Sequence, residues 1–316
     1  MPARIVRGHD LQRRLLAQAA AAALDGGVTP SVALVRVQND DPMTPVNFAL
    51  HHRLFAELGF RVQPHELPRG TTPADLESLV DRLNDDETVD VVLVLIPLPA
   101  PLDIRLVLDR IAPAKEAEGL HLDHVIRLNP LSARPPTRIP VVPTAVVHLL
   151  TEIGLDPEGG EVVVLTDPEL TETNPVAKMV ARVAAFSALP PGAAGAAVPV
   201  THPRARELTR RGDLLIVSLQ QAGVVTGEWV KPGATVIDFN PVFLGWRPSR
   251  TDPARQVPHL VGGVDVESVT EVAGTLVPAP GGVGPVMLGA LAQQIVSATE
   301  ARRAQLRRAD GVLVPS

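Results

Sequence analysis

The chain of 316 residues is 45% hydrophobic and 20% charged, a composition typical of a globular protein that is long enough for two domains. Its net charge of −6, with no basic run beyond short Arg pairs, argues against nucleic acid and anionic membranes as partners. The absence of Cys excludes disulfides, thiolate nucleophiles and Cys-ligated metals, and favours a cytoplasmic location.

The first part of the chain alternates between helix-like and strand-like segments, and it begins without the apolar segment of a signal peptide. We predict a first helix and then strand and helix three times, in this order: Leu11–Leu24, Ser31–Val37, Pro45–Leu58, Arg61–Leu67, Pro73–Leu83, Val89–Pro97 and Leu102–Ile111. The longest apolar run, Val91–Leu102, is too short and too rich in Pro to cross a bilayer. The alternation predicts a three-layer α/β domain.

The second part of the chain shows a similar alternation with shorter elements. Residues 112–143 are predicted to form a Pro-rich loop region, and a connecting helix is predicted over Thr144–Ile153. The elements predicted after it are Glu161–Leu165, Asn174–Val183, Ala196–Val200, Pro203–Arg210, Asp213–Leu219, Ala234–Phe239 and a last helix over Val286–Arg303. Short parallel-type strands with brief helices predict a doubly wound nucleotide-binding domain.

Six segments are similar to motifs of a known family and occur in the same order along the chain. They are VQNDDPMTPV (Val37–Val46), VLVLIPLP (Val92–Pro99), PAKEAEGL (Pro113–Leu120), VKPGATVID (Val230–Asp238), GGVDV (Gly262–Val266) and PAPGGVGP (Pro278–Pro285). Through these segments the chain resembles the bifunctional methylenetetrahydrofolate dehydrogenase/cyclohydrolase (FolD-type) family over most of its length. The PGGVGP sequence is the most specific of them.

The resemblance implies an α/β fold with two domains and a two-step chemistry. Residues 1–143 with the C-terminal helix 286–316 would form a three-layer folate-type domain, and residues 144–285 a Rossmann-like parallel-sheet domain for NADP. The family is usually dimeric. It oxidises methylenetetrahydrofolate by hydride transfer to NADP and hydrolyses the methenyl product to formyltetrahydrofolate.

The resemblance also assigns site residues, and several differ from the family pattern. Where the family has a Tyr and, four residues later, a Lys that moves protons, this chain has Asn47 and His51. The Gln that orients that Lys is replaced by Leu95, and the pterin-associated Asp by Glu118. The turn residues Pro280, Gly281 and Gly282 are kept as a substrate-binding segment. The chain has no Tyr, and its three Lys belong to other motifs or segments, so these are replacements and not a shifted alignment.

The nucleotide-binding loop differs more. The family has a Gly-Arg-Ser loop followed by Val-Gly-x-Pro, in which glycines and a basic residue approach phosphate. This chain has Asp167-Pro168-Glu169, then Glu172-Thr173-Asn174-Pro175. Carboxylates near a pyrophosphate cost roughly a kcal/mol each even at surface dielectric. NADP is therefore implied by the resemblance and disfavoured by the loop, and no cofactor-binding residue is assigned.

Alternatives remain open at each site. His51 either replaces the family Lys as general acid/base or is a helix residue with no proton to move, and the loss of Tyr and Gln favours the second. Glu116 and Glu118 are either a pterin-binding pair or a solvated loop, and His121 with His124 lacks the further ligands of a metal site, so no metal is predicted.

Three hypotheses of function follow from these residues. The first is family activity with a rebuilt site. The second is a folate- or pterin-binding protein that does not use NADP, including a cyclohydrolase-like enzyme that uses His51. The third is a non-catalytic paralogue with a structural or regulatory role, for example through dimerisation. The replaced residues favour a protein with little or no NADP-dependent dehydrogenase activity.

Overall fold

The computed structural model describes residues 2–128, 132–134, 137–155, 160–169 and 194–309. The chain forms two compact units. One comprises Arg13–Val141 with Leu288–Ser316, and the other comprises Met1–Gln12 with Val142–Met287. They are called here the three-stranded unit and the six-stranded unit after their main sheets. No helix among the described residues combines the length and the apolar character needed to cross a membrane.

The three-stranded unit is a parallel sheet with helices packed on it. Its strands are β2 (Ser31–Val37), β3 (Arg61–Leu67) and β4 (Val91–Val94), in the order β3-β2-β4. Its helices are α2 (Met43–Glu57), α3 (Pro73–Asp85), α4 (Ile104–Arg110), α5 (Leu122–Arg127) and most of α1 (His9–Asp25) and of α9 (Val283–Ala309). The central strand β2 is apolar almost throughout because a parallel sheet is covered on both faces.

Helix α3 shows how the sequence determines one of these elements. Thr72 accepts a hydrogen bond from the amide of Asp75, and the Asp75 side chain accepts one from the amide of Thr72, so a capping box starts the helix, and Pro73 occupies its first turn. The buried side chains Leu76, Leu79, Val80 and Leu83 repeat at helical spacing. This stripe packs on the strand side chains of the same core.

The six-stranded unit contains a wholly parallel sheet and a separate hairpin. The sheet order is β1-β11-β8-β7-β5-β6, and the strands are β1 (Arg4–Ile5), β5 (Glu161–Thr166), β6 (Ala194–Pro199), β7 (Leu214–Ser218), β8 (Thr235–Asp238) and β11 (Thr275–Val277). Strands β9 (Val242–Pro248) and β10 (Gln256–Val261) form an antiparallel pair. The helices are α6 (Val141–Ile153), α7 (Ala205–Thr209) and α8 (Val266–Thr270).

The strand order reverses between β5 and β7, because β6 lies on one side of β5 and β7 on the other. Ligands of doubly wound sheets bind outside the carboxyl ends of the strands at such a switch point. The predicted two-domain α/β class with a Rossmann-like sheet is thus confirmed.

Some elements differ from the sequence prediction. The region 112–143, predicted as a loop, contains α5, and the hairpin β9–β10 and the strands β1 and β11 were not predicted. Residues 1–12, predicted in the first domain, group with the six-stranded unit because β1 pairs with β11. The predicted helix Asn174–Val183 lies outside the described residues.

Candidate active site

Asn47 and His51 lie one helical turn apart on α2. The His51 Nδ1 is 2.7 Å from the main-chain oxygen of Asn47. Because a carbonyl oxygen only accepts, Nδ1 carries a proton, and in a neutral ring Nε2 then has the free lone pair. Among the described residues Nε2 has no hydrogen-bond partner.

The surroundings of His51 favour the neutral ring. The imidazole is half-buried and packs edge-on against Phe55, with ring centroids 5.8 Å apart. Burial lowers the pKa of His51, and the hydrogen bond to Asn47 opposes that shift without reversing it. A neutral imidazole with a fixed Nδ1–H and a free Nε2 has the form that a general base needs. Its role in catalysis stays a prediction.

Leu95 follows β4 directly and is almost fully buried, with 8% of its surface exposed. Its amide donates to the carbonyl of Val35 at 2.9 Å, which continues the sheet by one residue. A leucine side chain offers no hydrogen bond with which to orient an imidazole. Position 95 therefore supplies an apolar residue in the three-stranded unit, and the contacts that orient the His51 ring are those with Asn47 and Phe55.

Glu116 is a structural residue of the loop that carries Glu118. Its side chain is buried, and its carboxylate accepts the amides of Glu118 at 2.6 Å, Leu120 at 3.0 Å and His121 at 3.2 Å. Burial raises the pKa of Glu116, and these hydrogen bonds oppose the shift. These bonds within the loop favour a structural role for Glu116, and the pterin-binding carboxylate pair stays a prediction.

Two basic side chains also hold this loop in place by donating to main-chain carbonyls. Lys115 is buried, and its Nζ donates to the carbonyls of Leu83 and Asp86, both at 2.7 Å. Arg138 donates to the carbonyl of Glu116 at 2.6 Å and to that of Ala114 at 3.0 Å. These bonds satisfy buried carbonyl groups that no regular strand or helix would pair.

His124 is part of this buried network, and both of its ring nitrogens contact protein groups. Its Nδ1 lies 2.7 Å from the Thr137 hydroxyl and its Nε2 lies 3.0 Å from the Pro113 carbonyl. Burial first, and then the nearby Arg138, lower the pKa of His124 to about 4. Within the described part of the chain no group of three or more His, Cys, Asp or Glu side chains is arranged to hold a metal ion.

Glu118, in contrast, has no hydrogen-bond partner for its carboxyl group among the described residues. Burial first, and then the charge of Glu116, raise the pKa of Glu118 to about 8, so the group is mostly protonated at pH 7. The next residue, Gly119, has φ +75, and a Cβ there would lie 2.7 Å from the amide nitrogen of Pro140. The loop thus requires glycine at 119 and leaves the carboxyl group at 118 uncommitted.

The turn residues Pro280, Gly281 and Gly282 lie between β11 and α9 in the six-stranded unit. Gly281 has φ +97, and its carbonyl accepts the amide of Gly8 at 2.8 Å. A Cβ on Gly282 would lie 2.5 Å from a methyl carbon of Val277. Packing within the unit alone therefore explains both glycines, and their role in binding substrate stays a prediction.

Two of the family-like segments pack against each other in a way that the sequence did not reveal. The Asp238 carboxylate is fully buried and accepts the amides of Gly263 at 3.2 Å and Val264 at 3.1 Å. A Cβ on Gly262 would lie only 1.7 Å from an Asp238 oxygen. Burial raises the pKa of Asp238 to about 7. The buried Asp238 carboxylate at the end of β8 therefore holds the segments VKPGATVID and GGVDV together, which is a structural role.

An open pocket of about 470 Å3 lies in the six-stranded unit and includes Pro280. The other lining residues are Ala222, Gly223, Leu244, Leu260, Val261, Gly262, Val264, Asp265, Val266 and Ala279. Its lining is mainly apolar and contains no basic side chain. The one carboxylate, that of Asp265, caps α8 by accepting the amide of Ser268 at 2.9 Å.

The turn after β5 is the place where a doubly wound sheet meets a dinucleotide pyrophosphate. Asp167 is buried there with 5% exposure, its carboxylate accepts the amide of Glu169 at 3.0 Å, and its own amide donates to the Ser218 carbonyl at 3.1 Å. A buried carboxylate disfavours a phosphate at this turn, so the described residues do not fit the group. Glu172 and the residues up to Pro175, also predicted in this loop, lie outside the described residues.

A parallel sheet with a switch point, together with an α/β unit built on a three-stranded sheet, defines the class of two-domain proteins with a Rossmann-like domain. The model of the tetrahydrofolate dehydrogenase/cyclohydrolase catalytic domain matches residues 6–118, and that of the NAD(P)-binding domain matches residues 140–303. The chain belongs to the tetrahydrofolate dehydrogenase/cyclohydrolase family, which confirms the resemblance inferred from its motifs.

Similar proteins cover almost the whole chain. A bifunctional protein FolD of Acidiphilium cryptum is 35% identical over 308 residues, which are 96% of this chain and 100% of that protein. One of Dinoroseobacter shibae is 35% identical over 291 residues, or 91% of this chain and 90% of that protein. The solved FolD structure of Trypanosoma brucei, with NADP and an inhibitor, is 28% identical with a TM-score of 0.77 and covers 97% of this chain and 99% of its own.

Proposed function

We propose that this protein is a FolD-type protein that binds a folate- or pterin-like ligand and lacks ordinary NADP-dependent dehydrogenase activity. The observation that carries the proposal is the buried Asp167 carboxylate at the turn after β5. Its amide already donates to the Ser218 carbonyl of β7, and one carboxylate oxygen accepts the Glu169 amide within the turn. A phosphate placed there would meet a negative charge with little water to screen it, which opposes cofactor binding.

Family membership supports the ligand class. The relatives are named for methylenetetrahydrofolate chemistry, and the matched catalytic domain of this chain keeps an uncommitted carboxyl group at Glu118. A protonated carboxyl group both donates and accepts a hydrogen bond, which suits the amide-like edge of a pterin ring. A homodimer is proposed on the family resemblance as well, and the mass in solution tests it.

A second candidate function is a cyclohydrolase-like activity that uses His51, and the free Nε2 of a neutral ring favours it. Water would attack the carbon of the methenyl bridge, forming a C–O bond, while Nε2 takes the proton that the water loses. The ring then carries two N–H groups, and the Asn47 carbonyl stabilises the one at Nδ1. The hydroxyl group of the adduct then loses its proton to solvent as the C=O bond forms and one C–N bond of the bridge breaks, and Nε2 returns its proton to the substrate nitrogen that leaves the bridging carbon.

The test is a pair of calorimetric titrations with NADP and with tetrahydrofolate, run beside an assay of methylenetetrahydrofolate oxidation. The Acidiphilium cryptum relative serves as the comparison protein. We expect heat from tetrahydrofolate, little or none from NADP, and no oxidation. Micromolar NADP binding with turnover would overturn the proposal, and binding of neither ligand would favour the non-catalytic paralogue.

The cyclohydrolase candidate has its own test. Hydrolysis of methenyltetrahydrofolate is compared in the wild type, in His51→Ala and in the neighbouring His52→Ala. Loss of hydrolysis in the first variant alone supports His51 as the base, because the two substitutions remove the same side chain from adjacent helix positions. Equal hydrolysis in all three proteins removes His51 from the mechanism.

A further inference from the structure

Asn39 lies in the loop between β2 and α2, and its side chain bonds to two different loops of the three-stranded unit. The Nδ2 group donates to the main-chain oxygen of Pro97 at 2.5 Å. The Oδ1 atom accepts the main-chain amide of Asp41 at 3.0 Å. The first bond spans 58 residues of sequence, and the second spans two.

The second bond leads directly to the start of α2. Asp41, held by Asn39, in turn accepts the amide of Met43, the first residue of the helix, at 2.8 Å. The helix has no side-chain cap of its own at Pro42. Its first turn is therefore located by the chain of contacts from Asn39 through Asp41.

The first bond leads to the segment that follows β4. Among the described residues, the last main-chain hydrogen bond between β2 and the β4 segment runs from the Leu95 amide to the Val35 carbonyl. Beyond that bond, the side-chain amide of Asn39 donates to the carbonyl of Pro97, two residues after Leu95. One side chain thus connects the helix that carries Asn47 and His51 with the segment that carries Leu95.

We propose that Asn39 is a positioning residue, which fixes the α2 residues Asn47 and His51 against the Leu95–Pro97 segment. The expected effect on ligand binding rests on the proposed function, whereas the positioning role of Asn39 does not. An amide is the side chain that this role requires, because it must donate to one carbonyl and accept from one amide at the same time. Aspartate keeps only the acceptor, and alanine keeps neither.

The same unit contains a matched control. Asn84 also donates through Nδ2 to a main-chain oxygen, that of Arg110 at 2.8 Å, and accepts a main-chain amide, that of Ala112 at 2.8 Å. It therefore makes the same kinds of bond at a similar cost when removed, but it connects α3 with the residues after α4. A general loss of stability affects both variants, whereas an effect on the α2 site is specific to Asn39.

The experiment compares Asn39→Ala, Asn39→Asp and Asn84→Ala in the full chain. Two readouts are used: the dissociation constant for tetrahydrofolate, by calorimetry, and the NMR signals of the His51 ring without ligand. We expect both Asn39 variants to weaken tetrahydrofolate binding on the order of tenfold and to move the His51 signals. Asn84→Ala should lower the unfolding midpoint and leave the His51 signals unchanged.

Each contrary result has a separate meaning. Asn39→Asp with wild-type His51 signals would overturn the inference, since that variant keeps the bond to Asp41 and loses only the one to Pro97. Asn84→Ala with signals moved as far as in Asn39→Ala would overturn it as well. A wild type that does not bind tetrahydrofolate contradicts the proposed function, and the His51 signals then still decide the role of Asn39.

Discussion

The Nδ1–H of His51 donates to the main-chain carbonyl of Asn47 over 2.7 Å, one turn earlier in the same helix. This contact uses the backbone of residue 47 and not its side chain, so it persists whatever residue stands there. It fixes the ring tautomer and leaves Nε2 as the only ring atom able to take a proton. The replacement of the family Tyr by Asn47 therefore does not by itself disable an imidazole at position 51.

We expect His51 to titrate below the ordinary histidine value of about 6.5, because burial disfavours its charged form. The NMR signals of the ring, followed from pH 4 to 8, give the midpoint. The same residue measured in urea provides the reference. A midpoint at or above the urea value would contradict the burial of the ring.

Replacement of Glu118 by Gln should stabilise the folded protein at pH 8 by roughly 1–3 kcal/mol. The folded pKa of Glu118 is raised to about 8. Below the pKa that Glu118 has in the unfolded protein, its carboxyl group is protonated in both the folded and the unfolded state. As the pH rises from there to about 8, the unfolded state releases the proton first and the stability of the fold decreases. Urea unfolding at pH 5 and pH 8 measures the difference, with the exposed Glu267→Gln as control. An equal response of both variants would exclude the effect.

His124 should make the fold sensitive to acid between about pH 6.5 and pH 4. Its folded pKa is lowered to about 4, so the unfolded state binds the proton first as the pH falls, and stability decreases through this window. Relative to His124→Asn, the wild type should lose roughly 1–3 kcal/mol on acidification. Urea unfolding at several pH values tests this. Parallel curves for the two proteins would show that His124 does not titrate in this window.

The Asp90→Asn variant should lose roughly 3–5 kcal/mol of unfolding free energy. Asp90 is fully buried, accepts from Arg302 at 3.2 Å and Arg303 at 2.9 Å, and also accepts the Ser31 amide at 3.0 Å. Removing its charge leaves the largely buried Arg302 without this anionic partner, so that its guanidinium keeps the neutral Glu87 carbonyl at 3.1 Å. The exposed pair of Arg53 with Glu57 provides the control, since Glu57→Ala should cost at most about 0.5 kcal/mol. Similar losses in both variants would contradict this assignment.

Most of the strands and helices could be predicted because their signals are local. The capping box of α3 and the continuous apolar run of β2 each reflect a few neighbouring residues. The strand β1 could not be predicted in this way, since two residues acquire their strand character only by pairing with β11, far away in sequence. The helix α5 was missed for a different reason, because the Pro-rich residues that flank it suggested a loop.

The candidate site was predictable only as a set of positions. Alignment on the family motifs located Asn47, His51, Leu95 and Glu118, but it gave no contact for any of them. Glu116 and Glu118 look equivalent in the sequence, and only the fold shows that, among the described residues, three amides occupy the first and none the second. Asn39 was not singled out at all, because the carbonyl that it binds is 58 residues away.

The loop around Glu116 has a consequence for how such a site changes over time. Its shape is maintained by the side chains of Glu116, Lys115 and Arg138 and by the glycine at 119, none of which depends on the side chain at 118. Substitutions at 118 can therefore be sampled without loss of the backbone that presents them. The residues that maintain the loop are thus separate from the residue proposed to bind a ligand, and such a separation allows a protein to exchange one ligand chemistry for another while its fold is retained.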